Sequence, residues 1–247
     1  MTNLYSGIAI LIFVLLIYAV SSILIKKIPL KKQDAQNSDM EKIKIALNSG
    51  AENSELIHID SGTSNNSEMF SSISLIALKC AEETSRQTVL MDESLLVTTN
   101  SGALAAVQED SVKESYKKAS LENEFDRNQI AFNGYSDASH QINMINETEV
   151  PAAAHINIGS FGPETVIQDL AFDGSESIFI SGDNLTSQSA GIVFADGTII
   201  GERTYELPQA LSNRKGPAAE LLAMDIFRWV MIGAIIAGAV MGIAGIF

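Results

Sequence analysis

Two long apolar runs, Gly7–Ile25 and Ile226–Phe247, bracket a chain whose middle switches repeatedly between strand-like and helix-like spacing of its hydrophobic residues. The first run, at about 19 residues and 1.5 Å per residue, would reach roughly 28 Å, close to the hydrocarbon thickness of a bilayer. From Ser54 onward the spacing predicts six strands, each followed by a helix. The strands are Leu56–Asp60, Leu95–Thr99, Gln129–Asn133, Ala152–Gly159, Ser177–Ser181 and Thr198–Gly201. The helices are Ser67–Arg86, Ala103–Ala119, one with a face of Ala138, Ile142 and Ile145, Pro163–Ala171, Asn184–Val193 and Glu202–Leu211. Pro163 suits a first helical turn, and Glu109/Lys113 and Glu114/Lys118 have the spacing of helix-surface ion pairs. Before the first strand, Ser38-Asp39-Met40-Glu41 has capping-box spacing. Met40, Ile43 and Leu47 then fall on one side of a short helix, with Gly50 as its stop.

Strands alternating with helices imply a parallel sheet, because parallel strands need crossover connections. The expected fold is α/β: a Rossmann-like, mainly parallel sheet sandwiched by helices, flanked by an N-terminal and a C-terminal transmembrane helix. The divisions that follow are an anchor with basic collar (1–32), a linker with a short helix (33–54), the α/β domain (55–213), and a second collar and anchor (214–247).

Charge fixes the orientation. Lys26, Lys27, Lys31 and Lys32 follow the first run, Arg214 and Lys215 precede the second, and Arg228 lies at its start. No Lys or Arg lies beyond either run, so the positive-inside rule places the middle in the cytoplasm and both termini outside. Met1–Ser6 holds no Lys or Arg and no A-x-A-like site follows, so the first run reads as a retained anchor. The middle carries 28 Asp and Glu against 9 Lys and Arg. Such a surface repels phosphate backbones and argues against a nucleic-acid partner. The implied partners are the lipid bilayer and either further copies of the chain or other membrane subunits. In the second run Ala234, Gly238 and Gly242 repeat small-xxx-small, which lets helix backbones approach closely in lipid.

Chemistry-bearing residues are sparse. The single cysteine, Cys80, sits on an apolar helix face and excludes an internal disulfide. No Walker motif, G-x-S-x-G elbow, H-E-x-x-H or EF-hand loop occurs, and nothing calls for a metal or cofactor. Small polar residues follow nearly every strand, and in a parallel sheet they gather at the carboxyl edge where open α/β sheets bind ligands. The candidate ligand residues there are Asp60, Ser61, Asn100, Ser101, Ser160, Ser181 and Asp183. Gly159–Gly162 departs from the dinucleotide fingerprint, and Glu164 beside it opposes an anion. By period two, His58 and Asp60 share one face, as do His155, Asn157 and Gly159. If their strands are neighbours, a polar seam forms.

Ile158–Glu164 (IGSFGPE) and Thr198–Tyr205 (TIIGERTY), with Leu95–Thr99 and Phe125-Asp126, resemble a bacterial domain-of-unknown-function family. The resemblance runs over residues 55–247. It implies a two-anchor protein of the bacterial inner (cytoplasmic) membrane with a Rossmann-like cytoplasmic domain, and brings no catalytic residue or ligand with it. The leading expectation is a non-catalytic assembly protein. A small-ligand sensor at the carboxyl edge is the alternative, and an enzyme using His58, Asp60 and His155 comes third.

Overall fold

The computed structural model describes residues 12–21, 23–24, 38–53, 55–62, 71–91, 94–134, 136–147, 152–172, 177–212 and 215–243. Two compact units result: residues 1–34 with 213–247, and Ala35–Ser212.

The larger unit is an α/β domain rich in helix. Its elements are α2 (Ser38–Asn53), β1 (Leu56–Asp60), α3 (Ser72–Met91), β2 (Leu95–Thr99), α4 (Gly102–Lys118), β3 (Ile130–Phe132), α5 (Asp137–Glu147), β4 (Ala152–Gly159), α6 (Thr165–Phe172), β5 (Ser177–Gly182), α7 (Leu185–Phe194), β6 (Gly197–Thr198) and α8 (Leu207–Leu211). All strand pairs are parallel, in the order β3-β2-β1-β4-β5-β6. The chain thus builds outward in one direction from β1 and then returns to build the other way from β4. The turns after β1 and β4 part at that reversal.

Because side chains alternate across a sheet, each face gathers its own core. Ile57, Ile59, Val97, Ile156 and Phe179 share one face and pack with α2, α3 and α8. The opposite face brings Ile178 and Ile180 of β5 against Met144 of α5 and Phe172 of α6.

Several local expectations change in the folded chain. Gly50 does not stop α2, which runs on to Asn53. A Cβ there would lie 2.8 Å from that of Ala153, so the glycine serves close helix–sheet approach. The helix expected at Ser67–Arg86 is α3, later by five residues at its C-terminal end; 63–70 lie outside the described residues. On α5 the buried residues are His140, Gln141 and Met144, while Ala138 and Ile142 are exposed. Glu114 pairs with Lys118 at 3.5 Å as expected, but Glu109 meets Arg127 at 3.0 Å and Lys113 meets Glu122 at 3.9 Å. Cross-element partners outcompete an i,i+4 pair worth only a few tenths of a kcal/mol. Pro163 precedes α6 rather than opening it, and the expected last helix begins as a 3₁₀ turn, Gly201–Glu206, before α8.

The smaller unit comprises α1 (Ile12–Ser21) and α9 (Lys215–Ile243). Within α9, Ala218–Met241 is long and apolar enough to cross a membrane, and none of its most apolar window is buried. The described part of α1 is shorter; the ends of the Gly7–Ile25 run lie outside the described residues. Val14, Ile17 and Tyr18 line an apolar cleft of about 310 Å³ with Ala223, Met224 and Phe227. The small-residue stripe lies farther along α9, where a Cβ on Gly238 would meet nothing within 4 Å among the described residues. The side of Gly242 lies outside the described residues.

Candidate functional site

Parallel strands deliver the turns after β1, β2, β4 and β5 to one edge, so Ser61, Asn100, Ser160 and Asp183 all follow carboxyl ends of the sheet. Local hydrogen bonds then set each side chain. Ser61 is buried and accepts from the amide of Gln108 on α4. Ser101 caps α4, its Oγ accepting from Leu104 N–H at 3.3 Å. Asn100 donates to Asp137 Oδ1 at 3.4 Å, at the start of α5. Burial first, then the nearby Glu164 carboxylate, raises the carboxyl of Asp137 above its ordinary range, against a smaller opposing pull from His140. Ser181 donates to Thr204 Oγ1 at 2.8 Å.

The reversal between β1 and β4, where a doubly wound sheet would receive a ligand, is filled by the chain itself. A Cβ on Gly159 would sit 2.6 Å from the Ser61 carbonyl oxygen. Gly62 has φ +64°, and a Cβ there would meet the Phe161 ring at 2.9 Å. Phe161 is buried against it. Backbone donors at the same turns are already engaged: Gly62 N–H reaches Asp60 Oδ1 at 3.0 Å, and Gly162 N–H reaches Glu164 Oε1 at 2.7 Å. Two carboxylates therefore occupy the positions an anion would need.

Open space lies to one side of that reversal. A cavity of about 380 Å³ is bounded by Ser71, Ser72, Ile73 and Ile76 at the start of α3, Gly182 and Asp183 at the carboxyl end of β5, Gln188 of α7, and Gly201, Thr204 and Tyr205 of the 3₁₀ turn. Asp183 alone of the seven sequence candidates lines it. Hydroxyls, an amide and a carboxylate can hold a neutral polyhydroxylated molecule or an amine.

A second polar cluster is closed. β1 and β4 are neighbours with His58 beside His155 and Asp60 beside Asn157, so the seam anticipated from period two does form. His58 Nδ1 lies 2.8 Å from His155 Nδ1, and His58 Nε2 lies 2.9 Å from Thr98 Oγ1. The two contacts couple the tautomers: if His58 donates to His155 it accepts from Thr98, and the reverse holds equally. His155 stacks on Phe172 with ring centroids 3.9 Å apart. Gln168 Nε2 donates to Asn157 Oδ1 at 2.9 Å. His140, which sequence spacing left out of the seam, swings in from α5 to place Nε2 2.9 Å from Asp60 Oδ1. All three histidines and Asp60 are fully buried.

Electrostatics follow from that burial. Desolvation, then His155, drops the His58 imidazole from 6.5 to about 3, against a smaller pull from Asp60. It is neutral at pH 7. Burial pushes the Asp60 carboxyl up, but the His140 charge and hydrogen bond, with His58 and the Gly62 N–H, outweigh it and hold the group below its ordinary range. Cys80 is buried and desolvation pushes its thiol far up, as befits an inert core residue. His140 and Asp60 thus form a hydrogen-bonded pair with no solvent contact. Among the described residues no group of three or more His, Cys, Asp or Glu could hold a metal ion.

The chain belongs to a family described as a domain of unknown function (DUF6754), whose model matches residues 2–247. The match takes in both apolar runs as well as the α/β domain. No curated protein and no solved structure matches the chain.

Proposed function

We propose that this chain is a membrane-anchored assembly protein, with a Rossmann-like α/β domain held at the cytoplasmic face of the inner membrane by two spans. The observation that carries the reading is α9. Its 24-residue span is apolar and none of its most apolar window is buried, with Trp229, Ile232, Ile235 and Val240 all turned outward. In water that surface would be a severe aggregation liability; in lipid it is the ordinary state of a spanning helix. The strand order β3-β2-β1-β4-β5-β6, with a core on each face, is that of doubly wound dinucleotide-binding sheets and supports the finer fold reading. The basic collars at both anchors support a cytoplasmic domain. The small-residue repeat Ala234, Gly238 and Gly242 supports a close-packed helix from another subunit.

The first expected outcome is topological. Alkaline carbonate extraction leaves the chain in the membrane pellet, and protease added to intact cells spares residues 26–225. Recovery of the chain in the carbonate supernatant, or digestion of its domain from outside, contradicts the reading.

The cavity beside β5 favours small-ligand sensing as a second reading. With Asp183 as its charged lining residue, it suits a neutral or cationic molecule. Native mass spectrometry of detergent-extracted protein then shows a small neutral or amine adduct that Asp183→Ala diminishes. A phosphate ester at the cavity would count against that chemistry.

A further inference from the structure

The helix α7 is built inside out. Its buried residues are Ser187, Ala190 and Gly191, and a Cβ on Gly191 would lie 2.8 Å from Thr198 Oγ1 and 3.1 Å from Ile180 Cβ. Small residues let α7 lie close on the sheet. Its large apolar residues are left facing out: Leu185 is 81% exposed, Ile192 65% and Val193 70%. Leu185, Ile192 and Val193 are seven and eight residues apart, one stripe of a helix. The adjoining α6 adds Ile167 and Leu170, 46% and 59% exposed. The same domain covers α4 conventionally, with Glu109, Lys113, Glu114 and Lys118 in ion pairs on its surface. An apolar stripe spanning two adjacent helices is the kind of patch that marks an interaction site.

Charge identifies the occupant. Residues 128–202 contain ten Asp and Glu and no Lys or Arg, α7 itself carries no charge, and the Lys42 ammonium of α2 reaches the Asp196 carbonyl just past α7 at 2.6 Å, one cation against that acidic excess. An anionic bilayer surface would be repelled by these surroundings. A second copy using the same face would set acid against acid. We propose that the α6–α7 face docks a partner protein through an apolar helix flanked by Lys and Arg, a mode in which the stripe supplies contact area and the acids supply register. The proposal rests on the assembly reading and names its partner's chemistry.

The test places a photo-crosslinking residue at Val193 of the full chain in its own membranes, with Lys117 of α4 as the control position. The expected adduct is a segment of another protein with basic residues around an apolar stripe. Leu185→Ser with Ile192→Ser, both at exposed positions, cuts its yield about tenfold while circular dichroism stays unchanged. An adduct with lipid, with any residue of this chain or a second copy, or with an acidic segment overturns the proposal. So does a yield no higher than at Lys117. Fractionation separates the two readings: an adduct found on soluble protein sinks the anchoring and leaves the docking face standing, whereas anchored protein without an adduct does the reverse.

Discussion

Replacing His140 with Ala is expected to cost about 3–5 kcal/mol of stability, more than any other single change in the seam. His140 and Asp60 are both fully buried and 2.9 Å apart. The truncation leaves the Asp60 carboxylate in the interior with the Gly62 N–H bond and the weaker pull of His58 to hold it. Burying a charge without its partner is far more costly than burying a neutral amide in the same place. Asp60→Asn should therefore recover part of the loss when added to the His140→Ala background. Urea unfolding of the full chain in detergent, followed by circular dichroism, measures both. A His140→Ala loss under about 1 kcal/mol, typical of a surface pair, would show that the two groups are not coupled.

Acid should unfold the domain from well above the carboxylate range. His58 titrates near 3 when folded, against an ordinary 6.5 when exposed. Between those values the unfolded chain binds a proton that the folded chain refuses. Stability is then full above about pH 6.5 and falls as pH drops toward 3, by up to about 1.4 kcal/mol per unit. Asp60 adds a second loss lower down. Its depressed carboxyl stabilises the fold above the ordinary carboxylate value, and that contribution disappears as pH falls through the folded value. The profile should slope gently from pH 6.5 and steepen below about 4. His58→Asn removes the upper slope and keeps the lower one. A wild-type unfolding midpoint that is level from pH 7 to 5 would refute the role given to His58.

The three central strands could be read from sequence to the residue. β1, β2 and β4 are short apolar runs bounded by turn residues, and their hydrophobic content reflects burial on both faces. The gathering of strand-end turns at one edge was likewise legible, since it follows from parallel connectivity alone. The seam was legible only conditionally. Period two put His58 with Asp60 and His155 with Asn157, but their adjacency depends on strand order, which long-range packing decides. The rotation of α5 was not legible. Pattern reading turns Ile142 inward, whereas the fold buries His140, which meets Asp60 of β1, and Gln141 beside it. The inversion of α7 hides for the same reason: hydrophobic spacing reports a stripe without saying whether sheet or partner covers it.

The two faces of the sheet are held by unequal means. One is a broad apolar cluster joining α2, α3 and α8; the other has four buried apolar residues beside a hydrogen-bonded polar network. Apolar burial tolerates small displacements, whereas a hydrogen-bonded network is lost when its geometry slips. Thermal fluctuation should thus lift α5 and α6 away before it disturbs α3, opening the domain in stages rather than at once. A protein bound across α6 and α7 would clamp the layer that opens first, coupling occupancy of the outer surface to the rigidity of the histidine layer beneath it.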